Sequence, residues 1–262
     1  MTATPNPTAA TSGMQTLTLT GLRFDANLGI LEHEKTAPQP IQVDAELNFG
    51  PQALLPSNDD ITQRMETSAD WVSMVLAQPM ATAPGSTYHY NDGAAALLAE
   101  VFRGATGMDL QAYANQYLFT PLGITRFHWK RSSGGLTDSE GGMYLEPSDL
   151  AKIGQLMLDQ GVWNGTRLVS AAWVAESVRG QLPTKPGQPP MRTNYGLMWW
   201  TVGPDVLQDA GAFSARGYGG QYLFVFPKTR TVAVLNQWMF KGQEISALEF
   251  ARHIEKALAT MP

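Results

Sequence analysis

Nucleophilic catalysis by a serine needs a base within reach, and a lysine three residues after the hydroxyl is one compact way to supply it. The lysines of this chain are Lys35, Lys130, Lys152, Lys185, Lys228, Lys241 and Lys256. Three positions before them stand Glu32, Phe127, Asp149, Leu182, Val225, Trp238 and His253, so no Ser-x-x-Lys or Thr-x-x-Lys pair exists in this sequence. There is no Cys to act as nucleophile or metal thiolate, and no Gly-x-Ser-x-Gly elbow. His33, His89, His128 and His253 are scattered without metal-ligand spacing, so no metal and no cofactor is expected. Ser68, Ser73 and Ser86 remain as hydroxyls ahead of Tyr90; Ser68 reads as a helix cap and Ser86, in Pro84-Gly85-Ser86, as a turn residue.

The bulk composition sets bounds. The 262 residues are 44% hydrophobic and 16% charged, enough for one large domain or two small ones. A formal net charge of −5 gives no electrostatic reason to expect a nucleic-acid or anionic-membrane partner. No apolar run reaches the length of a membrane span. The N-terminal MTATPNPTAATSG has no basic or apolar leader pattern and reads as a flexible tail over 1–13, which favours the cytoplasm.

Periodicity then places the elements. Leu17 and Leu19, and later Ile41, Val43, Ala45 and Leu47, alternate with polar residues, predicting a β-hairpin with an elaborated loop over 14–50. Pro51, Pro56 and the Ser57–Asp60 cluster read as a junction over 51–67. Helices are predicted at Trp71–Gln78, at Asp92–Thr106 with a stop at Gly107, and at Asp109–Leu118. Further helices are expected at Pro147–Gln160 and Ser170–Val178, with a Gly- and Ser-bearing loop at Lys130–Gly142 before them. Tyr195–Val202, Ala212–Gly219, Gln221–Phe226 and Thr231–Gln237 read as strands, and Glu244–Ala259 as a closing helix. Helices followed by an antiparallel meander and a last helix make an α+β fold.

Five collinear phrases within about 68–240 carry a family likeness: PGSTYHYNDGAAALLAEVFRGATGMDL, YLFTPLGI, GGMYLEPSDLAKIGQLMLDQGVWNGTRLVSAAWV, NYGLMWW and FSARGYGGQYLFVFPKTRTVAVL. Together they resemble the β-lactamase-related serine hydrolases, the branch of class C β-lactamases, esterases and 6-aminohexanoate-dimer hydrolases. The resemblance implies an incomplete β-lactamase/penicillin-binding-protein-like fold over 68–262 and a small-molecule ester, amide or β-lactam-like ligand. It implies that Tyr90-Asn91-Asp92 is the tyrosine motif, with Tyr90 as the proton-shuttling catalytic phenol and Asp92 where Asn is common. It implies that Tyr218-Gly219-Gly220 is the edge-strand triplet, with the amide of Gln221 as one oxyanion donor. The residues themselves are also compatible with plainer readings: a buried tyrosine with a satisfied hydroxyl, and a Gly-rich turn. In the family the sheet's C-terminal strands pair with two N-terminal strands that have no counterpart here. The Thr16–Phe49 hairpin is therefore expected to fill the vacant edge beside Thr231–Gln237, since an open edge invites aggregation.

GLRFDANLGILEHEKTAPQPIQVDAEL, over Gly21–Leu47, resembles the first hairpin of dihydroneopterin aldolase. That resemblance implies a pterin-contacting role for Glu34, a carboxylate able to hold an amino-pyrimidine edge by paired hydrogen bonds; the bare residue reads as a solvated loop charge. Three functions follow as expectations: a hydrolase descendant impaired by loss of its nucleophile pair, a non-catalytic ligand-binding module that keeps the cleft, and an aldolase fragment.

Overall fold

The computed structural model describes residues 15–26, 39–49, 58–79, 88–180, 182–183, 193–203, 206–237 and 245–260. Glu34 and Ser86 lie outside them, as do the expected tail and residues 51–57 of the expected junction.

Strands β1 (Gln15–Ala26) and β2 (Gln39–Phe49) pair antiparallel as the alternation predicts. Leu17 faces Leu47 and Leu19 faces Ala45; after a bulge the register resumes with Leu22 opposite Val43 and Phe24 opposite Ile41. One extra residue in β1 re-phases its apolar positions from odd to even numbers and keeps them opposite apolar positions of β2.

The stretch read as a junction carries a helix. Helix α1 spans Asn58–Thr67. The polar Asn58-Asp59-Asp60 cluster is a helix start, and Ile61 and Met65, four apart, bury at 1% and 2% exposure. They pack with α2 (Trp71–Leu76) and α3 (Asp92–Thr106) in one cluster of Ile61, Met65, Trp71, Val75, Ala96 and Leu97. The cap of α2 is Asp70, whose Oδ1 accepts from Ser73 N at 2.9 Å, while the Ser68 hydroxyl turns to the Asp70 backbone. Helix α4 (Leu110–Ala114) runs into a wider π turn at Asn115–Phe119. The short ladder of β3 (Phe127–Trp129) and β4 (Met143–Leu145) brackets the predicted 130–142 loop.

Helix α5 (Pro147–Leu158) stops at Gly161, whose φ of +83° is open to glycine and which lies against the backbone of Val169. The ladder of β5 (Val162–Trp163) and β6 (Thr166–Arg167) follows, then α6 (Ala171–Ser177), capped by the Ser170 hydroxyl as predicted.

The remaining strands form one six-stranded antiparallel sheet: β7 (Leu182–Pro183), β8 (Thr193–Tyr195), β9 (Trp200–Val202), β10 (Phe213–Arg216), β11 (Tyr222–Phe226) and β12 (Thr231–Leu235), adjacent in chain order. The single strand expected at Tyr195–Val202 is a tight hairpin, because Met198 adopts φ +67° and Gly196 N bonds to Trp199 O at 2.8 Å. Period-2 alternation along β11 serves both faces of the sheet. Phe224 and Phe226 pack on α7 (Ala247–Leu258), and Val225 packs on α5 and α6 through Met157, Leu158 and Val174.

The hairpin does not fill the sheet edge. Strands β1 and β2 spend their ladder bonds on each other and form a sheet of their own, and among the described residues no strand pairs with the outer side of β12.

Since α1 supplies part of a core, Ile61→Ala should cost about 2–5 kcal/mol of stability, the range for emptying a packed site. Urea denaturation followed by tryptophan fluorescence measures this; a cost below about 0.5 kcal/mol, the usual surface value, would return the segment to the status of a linker.

Candidate active site

Tyr90 stands immediately before α3. Asn91 is the N-cap, its side-chain oxygen accepting from Ala94 N at 2.8 Å, and Asp92 is the first helical residue. The Asp92 carboxylate accepts from the Thr62 hydroxyl of α1 at 2.8 Å, so the motif's third position ties two helices together. Tyr90 itself is 51% exposed.

The segment 88–90 lies against the sheet through aromatic rings. Tyr90 is near-parallel to Trp200, with centroids 6.3 Å apart and planes at 18°. Tyr88 meets Tyr195 at 5.1 Å and Trp200 at 6.0 Å, and Tyr195 meets Trp200 edge-on at 5.0 Å. The Arg216 guanidinium, at the end of β10, sits 5.0 Å from the Trp200 ring centre and 5.7 Å from that of Phe224. Its Nε donates to Ser214 Oγ at 2.9 Å. Burial lowers the Arg216 pKa to about 10, which still leaves it protonated at neutral pH.

A third element closes on the start of α3. The Ser139 hydroxyl donates to Ala95 O at 2.7 Å and accepts from Ala99 N at 3.1 Å, pinning the 130–142 loop to the helix. Asp138 is 1% exposed; its Oδ1 accepts from Glu140 N and Gly141 N, both at 3.2 Å, and its Oδ2 is buried without a hydrogen-bond partner. Burial pushes the Asp138 carboxyl up, partly offset by those amides. Glu140 is pushed up to about 7, first by burial and then by the charges of Asp138 and Asp92, with Lys130 opposing. Lys130 is itself 3.8 Å from Glu66.

The same environment acts on Tyr90. Burial around the phenol is the largest push upward, followed by Asp92, Tyr195 and Glu140. All the named influences favour the neutral phenol. A proton shuttle needs the opposite, a cation that stabilises phenolate.

Of the predicted residues, Tyr90 and Asp92 are thus brought together. The glycine triplet occupies the turn between β10 and β11, closed by Gly217 N to Gln221 O at 2.8 Å. Gly219 and Gly220 take φ of +98° and +91°, and Tyr218, at the tip, is 90% exposed. The Gln221 side chain donates to Gln237 O at 2.7 Å. His89 is exposed, and among the described residues no group of three His, Cys, Asp or Glu converges as metal ligands. No helix of the described residues is long and apolar enough to cross a membrane.

The sequence reading expected Tyr218 and the tryptophans beside Tyr90 as cleft lining, and it missed Tyr88, Tyr195, Arg216 and Glu140. Tyr88 and Tyr90, two apart in an extended segment, carried a signal for a shared face. Arg216, two residues before the triplet, stood inside the quoted phrase.

Comparison with known proteins decides the family. The family pattern described as Beta-lactamase matches residues 50–247. The chain belongs to the beta-lactamase family. The match takes in α1 and begins after the β1–β2 hairpin. A 6-aminohexanoate-dimer hydrolase of Paenarthrobacter ureafaciens is 30% identical over 149 residues, 54% of this chain and 37% of that protein. A Bacillus anthracis structure with a provisional 6-aminohexanoate-dimer hydrolase assignment matches at a TM-score of 0.65 and 22% identity, covering 77% of this chain and 56% of its own. A penicillin-binding protein from Bacillus halodurans matches at 0.56 and 16%, covering 78% and 69%. These last two likenesses establish the fold, and the chain spans little more than a third to just over half of the first two relatives.

The raised Glu140 carboxyl has a consequence for stability. Its folded pKa of about 7 lies above the ordinary 4.5, so its contribution is fully present below about pH 4.5 and is lost as pH rises through 7. Glu140→Gln should raise the urea midpoint at about pH 8 and leave it nearly unchanged at about pH 4. An equal shift at both pH values would show that charge is not the cause.

Proposed function

We propose that this beta-lactamase-family chain is a ligand-binding descendant of an acyl-transfer enzyme, retaining a small-molecule cleft and lacking efficient hydrolysis. The observation that carries the reading is the electrostatic setting of Tyr90. Burial first, and then the charges of Asp92 and Glu140 with the Tyr195 phenol, push its pKa upward and favour the neutral form. The sequence offers no hydroxyl three residues before any lysine to supply the nucleophile and the missing cation. The family match over 50–247 supports the inherited cleft, and the aromatic wall of Tyr88, Tyr90, Tyr195 and Trp200 gives it a surface for an ester, amide or β-lactam-like compound. Asp92 serves in this reading as a link to α1 and a source of negative field. The Gly219–Gly220 turn and the Gln221 amide remain as an edge along which a ligand carbonyl could lie.

A fluorophosphonate probe and an activated aryl ester test this directly on the full chain. Intact-mass spectra should contain no stoichiometric adduct, and ester turnover should stay within about ten-fold of background, since loss of a nucleophile removes most of the rate enhancement. A serine acylated stoichiometrically and released with turnover would overturn the proposal.

A further inference from the structure

The six-stranded sheet ends differently at its two edges. At one, β7 is two residues long, and one of them is Pro183, which has no N–H to offer a further strand. At the other, β12 is the five-residue run Thr231-Val232-Ala233-Val234-Leu235, with no proline, no glycine and no charge. Pairing with β11 occupies one side of its backbone, and among the described residues no strand pairs with the other. Edge strands are usually blunted by shortness, proline or lysine; β12 has none of these devices.

Packing breaks off at the same line. In β11, Leu223, Phe224, Val225 and Phe226 are at most 1% exposed. One strand spacing away, about 4.8 Å, every residue of β12 is only partly buried. Both faces of the sheet share the break. Val232 packs on α5, so closely that a Cβ added to Gly154 would lie 2.6 Å from its Cγ1. Ala233 packs on the opposite face, in the cluster that includes Phe250 and Ile254 of α7, themselves partly buried. An apolar core cut across in this way has the character of half of a homodimer interface.

We propose that the β12 edge is an interaction surface for a second copy of this chain, which lays its own β12 alongside, antiparallel, about a two-fold axis at Ala233. In that register Thr231 faces Leu235 and Val232 faces Val234, so valines meet on the α5 side and the small Ala233 meets itself on the axis. The nearest charge, Arg230, faces Asn236 and is held by Asp159 of its own chain, so no like charges oppose. The β1–β2 hairpin fits this edge less well. In β2, Ile41, Val43, Ala45 and Leu47 alternate with Gln42, Asp44 and Glu46, which would bring carboxylates to one face of an edge that is apolar on both. The pairing goes beyond the cleft reading and is independent of it: Trp200, on β9, lies three strands from β12, so each copy keeps its cleft open.

Because the chain has no Cys, single substitutions report the register. Ala233→Cys, oxidised with copper phenanthroline, should give a disulfide-linked dimer, since facing Cα atoms of an antiparallel pair lie about 4.5–5.5 Å apart, within disulfide reach. Thr231→Cys faces Leu235 rather than itself and should stay single, while Thr231→Cys combined with Leu235→Cys should link. Sedimentation equilibrium of the parent full chain should show its mass doubling as concentration rises. Val234→Lys should weaken that association at least about ten-fold with an unchanged circular dichroism spectrum, because the edge would then carry an inward charge. Should Val234→Lys fail to fold, the cysteine pattern on its own decides. A parent chain that stays single at every concentration would refute the pairing, and so would a dimer that Ala233→Cys fails to link or that Thr231→Cys alone links as readily. A single chain whose β12 amides resist hydrogen exchange on both sides would show its own hairpin at that edge and refute it equally.

Discussion

The packing of residues 88–90 on Trp200 and Tyr195 is the contact on which the site depends. It joins two bodies of structure that are otherwise built separately: the α1–α3 cluster around Ile61, Trp71 and Leu97, and the sheet with its two helical faces. Aromatic rings suit this junction because each buries a large area with few rotamers to fix, and their edges and faces tolerate tilted contact. The Asn91 cap then sets where α3 begins, and so fixes Tyr90 just outside the helix. A phenol two residues further along, at the position of Asp92, would lie within the helix and lose its extended approach to the sheet.

Burial and charge together govern the Tyr90 phenol. Tyr90 shares its corner with Asp92 and Glu140, and both make the phenolate less favourable. Acid–base work at neutral pH by a phenol needs several pKa units of help in the opposite direction. Burial and the neighbouring carboxylates thus act on this phenol in the same direction. On the proposed reading, the aromatic wall of Tyr88, Tyr90, Tyr195 and Trp200 serves binding rather than turnover.

Much of the local architecture was legible because several signals agreed. Helix α3 matches its predicted bounds, Asp92–Thr106, since a cap, an Ala/Leu-rich apolar run and a left-handed Gly107 all point the same way. Ser170 and Gly161 worked likewise as start and stop. Helix α1 was obscured because prolines precede it and its first turn is a polar cluster, and only the Ile61–Met65 spacing betrays the buried face. The strand at Tyr195–Val202 split because Met198 accepts a positive φ that no turn-type residue announces. The hairpin alternation was readable, but which edge it would join was not, because strand partners are chosen by tertiary contacts that alternation does not encode.

The site was legible only in part for a related reason. Tyr90 and Asp92 are neighbours in sequence, so a motif could reveal them. Glu140 is distant in sequence from Asp92 and reaches it only because Ser139 bonds to α3 across 44 residues to Ala95. Arg216 and Trp200 come from successive strands whose ladder pairs Ser214 with Trp200. A motif reports which residues an ancestor used, whereas a field is the sum of groups that folding brings together. For this chain the two meet at one atom, the Tyr90 hydroxyl: the family motif would have it give and take a proton, while burial together with Asp92, Tyr195 and Glu140 pushes its pKa upward.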